Sequence, residues 1–209
     1  MEIRLTNICK TFNDNKVLEN INITFKSGEI TCIMGSSGRG KTTLVNIIAG
    51  LLKPDLGEIS GLEGKKISMV FQEDRLLNWE TALRNITLVV NRPVRQLNIA
   101  KCVNQQHARE LLTQAGLADS INKIAAELSG GMKRRVCICR ALIAEYDLLI
   151  FDEPFKGLDS GIKPVIMDMV KARCHKDKII LCITHDPLEA EYLEGRVIAL
   201  DLSTPIKKT

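Results

Sequence analysis

A glycine-rich segment between two apolar segments is the feature that most constrains the fold of this chain. Ile30 to Met34 is a short run of apolar and β-branched residues, as expected of a buried strand. Residues 35–42 then read GSSGRGKT, and the apolar spacing from Thr43 to Ala49 predicts a helix packed on that strand. The order of strand, glycine-rich loop and helix indicates an α/β fold with a phosphate-binding loop.

The residue types in this loop suit the binding of a triphosphate. The three glycines let the backbone approach an anion closely, because they carry no Cβ atom. The helix predicted to begin near Lys41 points unpaired N–H groups at the anion, and Lys41 adds a positive charge. Thr42 offers a hydroxyl to Mg²⁺. The predicted nucleotide-contacting residues of the loop are Gly35, Ser36, Ser37, Gly38, Arg39, Gly40, Lys41, Thr42 and Thr43.

Composition excludes several other classes of protein. The 209 residues are 45% hydrophobic, which is enough for a substantial core. No apolar run approaches the roughly 20 residues of a membrane-spanning helix, and the first residues lack the apolar core of a signal peptide. We therefore expect a cytosolic protein, and any contact with a membrane must go through a partner. The seven cysteines show neither zinc spacing nor a disulfide framework, and a net charge of +4 does not argue for nucleic acid.

The remaining pattern predicts a small sheet before the loop and a helical insertion after it, within one domain at 1–209. Residues 2–6 and 21–25 alternate like antiparallel strands, and Phe12 before their turn either covers the core or stacks on a nucleotide base. Helical spacing dominates residues 79–117, so an α-helical lobe is expected at about residues 73–145. Within it, Ser129 is a predicted N-cap, and residues 129–131 fit either an ordinary capped helix or a second anion site.

Polar residues follow three further predicted strands. Gln72 follows the strand at 67–71, Asp152 and Glu153 follow the apolar run 147–151, and His185 comes soon after the run 179–183. Ligands of open α/β sheets lie beyond strand ends, so these side chains are candidate site residues. Adjacent carboxylates on an extended segment point in opposite directions. One of the pair can therefore serve Mg²⁺ while the other accepts a proton from the attacking water.

Together these segments resemble the nucleotide-binding subunit of ABC transporters over nearly the whole chain. GSSGRGKT is similar to the family's phosphate loop, Gln72 to its Q-loop, LSGGM at 128–132 to its signature and LLIFDEP at 148–154 to its second Walker motif. Residues 157–159 (GLD) are similar to the D-loop, and residues 184–186 (THD) to the H-loop. The resemblance implies a P-loop NTPase core with a mainly parallel sheet, an N-terminal antiparallel β-subdomain and an inserted helical lobe.

The resemblance also implies ATP and Mg²⁺ as cofactors and a role for each motif. ATP would bind between two copies of the chain that face in opposite directions, the phosphate loop of one opposite the signature of the other. Glu153 would polarise the attacking water, His185 would contact the γ-phosphate, and Phe12 would stack on adenine. The implied catalytic residues are Lys41, Gln72, Glu153 and His185, and the implied metal-serving residues are Thr42, Gln72 and Asp152. The implied nucleotide contacts in the lobe and beyond it are Ser129, Gly130, Gly131 and Asp159.

Residues 71–79 (FQEDRLLNW) and Met132 look most like the import ATPases of the nitrate, sulfonate and taurine group. The implied partners are a second copy of the chain, an integral membrane permease subunit and, indirectly, a solute-binding protein. The implied location is the cytoplasmic face of the cell membrane, and no nucleic acid is expected. Trp79 belongs either to the permease-docking surface or to the core of the lobe. Arg39, Asn78 and Lys156 depart from the residues usual in the family.

Two other functions remain open from the sequence. An exporter or lipid-handling motor shares every catalytic motif and differs mainly in its docking surface. A soluble ABC ATPase that acts on ribosomes or DNA usually carries two fused cassettes or a long coiled coil, and neither is expected here. A regulatory C-terminal domain is not expected either. The transported solute stays open, because selectivity resides in the membrane and solute-binding subunits.

Overall fold

The architecture was taken from a computed structural model of the chain. The structure describes the backbone of residues 1–36, 38–90 and 98–200, and the side chains of these residues outside 98–104. The chain divides into two compact units, the first made of Met1–Met69, Tyr146–Glu153 and Cys174–Thr209, and the second of Val70–Glu145 and Pro154–Arg173. Within the described ranges, no helix is both long and apolar enough to cross a membrane.

The first unit is built on two β-sheets. Strands β1 (Glu2–Phe12), β2 (Asn15–Lys26) and β4 (Leu56–Ser60) form an antiparallel sheet in the order β2-β1-β4. The second sheet has the order β5-β6-β7-β3-β8 and consists of β3 (Ile30–Met34), β5 (Ile67–Val70), β6 (Leu148–Asp152), β7 (Ile179–Ile183) and β8 (Arg196–Ala199). Strands β6, β7, β3 and β8 pair in parallel. These sheets confirm the predicted α/β class.

Burial explains why the central strands form where they do. Every residue of β6 and β7 is buried, as expected of parallel strands covered on both faces. The predicted strands at 30–34 and 179–183 are confirmed residue for residue. Helix α1 (Lys41–Ile48) follows the glycine-rich loop as predicted, and its buried side chains join a core with both sheets. A second helix of this unit, α6 (Pro187–Tyr192), follows β7.

The predicted bounds of β1, β2 and β5 were wrong. Strands β1 and β2 are about twice as long as the predicted segments 2–6 and 21–25. Their pairing shifts register beyond Leu5, and Asn7 and Asn20 adopt left-handed φ angles of 53° and 49°, so the simple alternation of burial stops there. Strand β5 ends at Val70, before Phe71, so Gln72 lies in the loop that follows rather than directly at the strand end.

The second unit is mainly helical. It contains α2 (Ala82–Thr87), α3 (Asn98–Gln114), α4 (Gly130–Ile143) and α5 (Lys163–Lys171), with single turns of 3₁₀ helix at Ala118–Ser120 and Ala125–Glu127. Ala108, Leu111 and Leu112 of α3 are buried, at the spacing of one helix face. Gly116 follows α3 with φ +68°, a left-handed conformation typical of a glycine after a helix end.

Candidate active site

Three parallel strands end together and bring the site residues of the first unit to one edge of the sheet. Asp152 at the end of β6 pairs with Ile183 of β7, which pairs in turn with Ile33 of β3. The N–H of Glu153 donates to the carbonyl of Ile183 at 3.1 Å, and the N–H of Thr184 donates to that of Ile33 at 3.3 Å. The glycine-rich loop, the carboxylates and the residues after β7 therefore follow neighbouring strands at the same edge.

The glycine-rich loop is folded around the Lys41 ammonium group. Its Nζ atom donates to the carbonyls of Gly35 at 2.7 Å and Ser36 at 2.8 Å, and the residue is 7% exposed. Gly40 has φ +77°, and a Cβ atom there would lie 2.7 Å from the carbonyl oxygen of Val17. Only glycine adopts this left-handed φ angle readily and also avoids the overlap with Val17 without a shift of the backbone. The loop thus requires glycine next to the lysine that would hold the phosphates.

The opposite side of the loop is open. Gly38 has φ +79°, and a Cβ atom added there would meet nothing within 4 Å. Arg39 is exposed and its Nε atom donates to the Ser36 hydroxyl at 3.1 Å. No side chain caps α1 at Gly40, and Thr42 in its first turn is exposed. The helix start can therefore offer its N–H groups to an anion. Ser37, also predicted to contact the nucleotide, lies outside the described residues.

The two carboxylates after β6 have different surroundings. Asp152 is 2% exposed, whereas the Glu153 side chain is 17% exposed. Glu153 has φ +48°, a left-handed conformation that costs free energy for a residue other than glycine. Nδ1 of His185 lies 3.6 Å from Oε1 of Glu153, and the His185 side chain is 63% exposed. A strained, partly exposed carboxylate beside an imidazole is suited to proton transfer with a bound water.

A short hydrogen-bonded turn positions His185. The buried Thr184 hydroxyl donates to the carboxylate of Glu189 and accepts the N–H of Asp186 at 3.0 Å. The Asp186 carboxylate in turn accepts the N–H of Leu188 at 3.0 Å and caps helix α6 (Pro187–Tyr192). The residues on both sides of His185 are therefore fixed by the helix cap. The sequence pattern shows the cap but not the bond from Thr184 to Glu189.

Phe12 lies at the end of β1 and is 44% exposed, so its ring does not belong to the core. The Lys10 ammonium lies 5.4 Å from the ring centroid and donates to the Asp55 carboxylate at 2.6 Å. The N–H of Thr11 donates to the same carboxylate at 2.7 Å. Hydrogen bonds from Lys10 and Thr11 hold the pKa of Asp55 below its ordinary value of 3.8. This network orders the end of β1, where the Phe12 ring is available for stacking.

The other predicted site residues belong to the second unit. Gln72, Ser129, Gly130 and Asp159 are exposed there. The Ser129 hydroxyl accepts the N–H of Met132 at 3.3 Å, which confirms the predicted N-cap of α4. A Cβ atom on Gly131 would lie 3.1 Å from the carbonyl oxygen of Gly157, so the start of α4 packs closely against residues 157–159. These two predicted motifs are therefore neighbours within one unit.

The donor set fits Mg²⁺ better than a transition metal. No group of three or more His, Cys, Asp or Glu side chains within the described part of the chain could enclose a metal ion. Asp152 and the Thr42 hydroxyl supply hard oxygen atoms, and Mg²⁺ is typically held by one or two such groups together with substrate phosphates and water. The residues present thus fit a magnesium ion that enters with a nucleotide.

Sequence reasoning missed one buried residue near these motifs, Arg134 of α4, which is 4% exposed. Arg134 shares a helix face with Cys137, Ile138 and Ala141, which are also buried. Spacings of three, four and seven residues place a charged side chain on an apolar face. An arginine on this apolar face was the signal in the sequence that could have indicated a structural role, because a buried arginine requires several hydrogen-bond acceptors.

Comparison with known proteins agrees with this geometry. A family model described as "ABC transporter" matches residues 18–156. An aliphatic sulfonates import ATP-binding protein, SsuB of Corynebacterium glutamicum, is 38% identical over 195 residues, which cover 92% of this chain and 77% of that protein. A bicarbonate transport ATP-binding protein, CmpD of a Synechocystis strain, is 36% identical over 210 residues, which cover 95% of this chain and 73% of that protein.

Solved structures give the same result. A dimeric ATP-binding cassette in a post-hydrolysis state with ADP and Pi bound matches with a TM-score of 0.82 and 31% identity, over 94% of this chain and 93% of that one. A second dimeric structure of the same cassette, described as a bacterial ABC transporter cassette, matches with a TM-score of 0.83 and 32% identity over the same shares of both chains. With its phosphate loop, strand-end carboxylates and adjacent histidine, the chain belongs to the ABC transporter family and is an ATP-binding ATPase.

Proposed function

We propose that the chain is the ATP-hydrolysing subunit of an importer of a small anionic solute, of the class that includes sulfonates, nitrate and bicarbonate. The convergence of Lys41, Glu153 and His185 at one sheet edge is the observation that carries the hydrolytic part. The import part is supported by the printed functions of the relatives, one for aliphatic sulfonates and one for bicarbonate. Both solutes are small anions.

In this proposal the residues of the first unit perform hydrolysis. The loop N–H groups and Lys41 bind the β- and γ-phosphates, and Phe12 stacks on the adenine ring. Glu153 accepts a proton from the water that attacks the γ-phosphorus. A bond from the water oxygen to phosphorus forms while the bond to the β,γ-bridging oxygen breaks, which yields ADP and phosphate. His185, 3.6 Å from Glu153, orients that carboxylate and contacts the γ-phosphate.

Mg²⁺ would be served by Thr42, Asp152 and Gln72. When bound, the ion neutralises phosphate charge and stabilises the charge that develops on the transferring group. Asp152 is suited to this role because it is fixed at the end of a fully buried strand. Binding of the phosphates and proton transfer from the attacking water are carried out by the protein itself.

Two copies of the chain would complete each ATP site. Ser129, Gly130 and Gly131 at the start of α4 are the residues that would contact the γ-phosphate held by the other copy, and Asp159 would contact the copy opposite. The similarity to a cassette that is dimeric in two solved structures supports this arrangement. The close packing of Gly131 against Gly157 supports a coupled movement of the signature and the D-loop.

A permease subunit would bind the second unit around Trp79. Trp79 is 73% exposed, and the same unit also exposes the apolar residues Leu77, Leu88, Val89 and Ile124. The buried Asn85 side chain holds the Trp79 segment by accepting the N–H of Leu77 at 2.8 Å and donating to its carbonyl at 3.1 Å. An exposed tryptophan on an ordered segment is typical of a protein-binding surface rather than of a loose loop.

The test is co-purification of the tagged chain from detergent-solubilised native membranes, followed by mass spectrometry. The wild type should recover a polytopic membrane protein, and a solute-binding protein should follow under milder conditions. Trp79→Ala should lose most of this recovery, since a buried interface tryptophan typically contributes 2 kcal/mol or more, on the order of 30-fold in affinity. Leu56→Ala removes an equally exposed apolar side chain on β4 and should retain the partner.

Recovery of ribosomes or nucleic acid in place of a membrane protein would overturn the transport proposal. Equal recovery by Trp79→Ala and the wild type would remove Trp79 from the docking surface. The same experiment tests the proposed location at the cytoplasmic face of the membrane, because that location depends on binding to the permease.

A further inference from the structure

The buried guanidinium of Arg134 joins two segments of the second unit that flank proposed catalytic residues. Its Nη1 atom donates to the carbonyls of Phe71 and Gln72, the latter at 3.2 Å, and lies 3.4 Å from Oδ1 of Asp74. Its Nε atom donates to the carbonyl of Pro154 at 3.2 Å. One side chain therefore holds the loop that carries Gln72 and the peptide that follows Glu153.

The shape of the guanidinium explains why arginine occupies this position. Arginine offers five N–H donors in a rigid planar fork, so Nε and Nη1 can serve acceptors in different directions at once. Lysine offers three donors from a single atom, and glutamine offers one NH₂ group. Neither can reproduce the simultaneous contacts of Arg134 with residues 71–74 and with Pro154.

A second arginine of α4 strengthens the hold on the Gln72 loop. Nη1 of Arg140 donates to the carbonyl of Arg75 at 2.7 Å. The Arg75 guanidinium lies 3.7 Å from the centroid of the Phe71 ring, within the range of a cation–π contact. The loop from Phe71 to Arg75 is thus bound to α4 at both ends. Because Ser129 and Gly130 begin the same helix, α4 connects the signature to this loop.

We propose that Arg134 is a positioning residue for ATP hydrolysis, which sets the main chain of the Gln72 loop and of the peptide after Glu153 relative to α4. It touches neither substrate nor metal and acts through Gln72 and Glu153. A movement of the signature helix is transmitted to both segments through one side chain. The inference rests on the roles proposed above for Gln72 and Glu153.

The test compares substitutions that separate hydrogen bonding from packing. Arg134→Lys keeps the charge and some donors, Arg134→Gln keeps two donors on one atom, and Arg134→Met keeps an apolar stem without donors. We expect kcat to fall about tenfold in the lysine and glutamine variants and more in the methionine variant, with KM for ATP changing less than about threefold. A side chain needed only for packing gives the reverse order, with methionine the best tolerated.

Cys139→Ala is the matched control. Cys139 is buried in the same helix, and its Sγ atom donates to the carbonyl of Leu111 in α3, away from the Gln72 loop. This variant should lower the unfolding midpoint with kcat within about twofold of the wild type. If the methionine variant does not fold, the lysine and glutamine variants still test the inference, because a wild-type kcat in both would overturn it.

Three results would overturn the inference: a wild-type kcat in the lysine and glutamine variants, a methionine variant at least as active as the lysine variant, or a loss of kcat in Cys139→Ala equal to that in the Arg134 variants. Glu153→Gln is measured in the same assay. Full activity of that variant would reject the proposed role of Glu153, and it would do so whatever the Arg134 variants show.

Discussion

At the scale of single residues, the site depends on a few backbone conformations that most side chains avoid. Gly38 and Gly40 have left-handed φ angles of +79° and +77° in the phosphate loop, and Glu153 has φ +48° directly after β6. The glycines adopt this conformation at little cost, but Glu153 does not. A strained glutamate retained next to His185 indicates that the position of its carboxylate matters more than local stability.

Gly40→Ala tests the contribution of close packing in the loop. The new Cβ atom would lie 2.7 Å from the Val17 carbonyl oxygen and 2.9 Å from Cδ2 of Leu18, in a left-handed conformation. The conformation alone costs about 1–2 kcal/mol, and the overlap adds about 1–3 kcal/mol. Urea unfolding should show this loss, and binding of a fluorescent ATP analogue should weaken markedly.

Gly64→Ala is the control for that substitution. Gly64 also has a left-handed φ, +68°, but a Cβ atom there would meet nothing within 4 Å. The free energy of unfolding of Gly64→Ala should fall only by the cost of the left-handed conformation, about 1–2 kcal/mol, and the variant should bind nucleotide like the wild type. Equal destabilisation and equal nucleotide binding in the two variants would show that contacts at Gly40 do not matter.

The sequence could predict which residue types form the site, but not the contacts that hold them. The spacing GSSGRGKT and the acidic pair at 152–153 are visible because they are local in sequence. The bonds from Arg134 to Phe71 and Pro154 join residues 63 and 20 positions apart, and no local pattern encodes them. The exposed position of Trp79, which the sequence left between surface and core, also depends on the fold of the unit.

At the scale of elements, the local sequence pattern predicted the buried strands β3 and β7 and the starts of α1 and α4. Strands β3 and β7 are continuous apolar runs, and Ser129 marks the start of α4. The ends of β1, β2 and β5 were missed, because bulges and loop contacts change where pairing stops without changing composition. Element type is therefore determined by short-range pattern, and element length by tertiary contacts.

The buried thiols of α4 give this helix a specific dependence on pH. Burial raises the pKa of Cys139 from its ordinary value of 9.0 to about 12, and that of Cys137 to about 11. The folded chain therefore keeps both protons above pH 9, where the unfolded chain loses them. Their contribution to stability is complete below about pH 9 and is lost as the pH rises towards 11 or 12.

Cys139→Ala measures this contribution. The free energy of unfolding of the wild type should fall between pH 8 and pH 10, because the unfolded chain releases protons from these thiols. In the variant this fall should be smaller by about 1 kcal/mol, because one of the two thiols is absent. Urea unfolding at the two pH values provides the comparison. The native thiol should also resist alkylation by a maleimide at pH 8, since the thiolate is the reactive form. An identical pH dependence in both proteins, or rapid native labelling of Cys139, would contradict this.

At the scale of the whole molecule, the chain carries residues for two half-sites in two compact units. The phosphate loop, Asp152, Glu153 and His185 belong to the first unit, and Gln72, the signature and Asp159 belong to the second. A dimeric cassette similar to this chain over more than nine-tenths of both lengths supports completion of each ATP site by a second copy. In the proposed importer, other subunits would select the solute, so this chain narrows its identity only to a class of small anions.

The most direct measurement is ATP turnover and ATP binding by Glu153→Gln, made on the same preparation. Glutamine keeps the size of the side chain but cannot accept the proton from water, so turnover should fall by about 10² to 10⁴. ATP binding should be retained, and light scattering should show a dimer when ATP is added, because the bound nucleotide is no longer consumed. Near-normal turnover, or an ATP complex that stays monomeric, would contradict hydrolysis by Glu153 at a site shared between two copies.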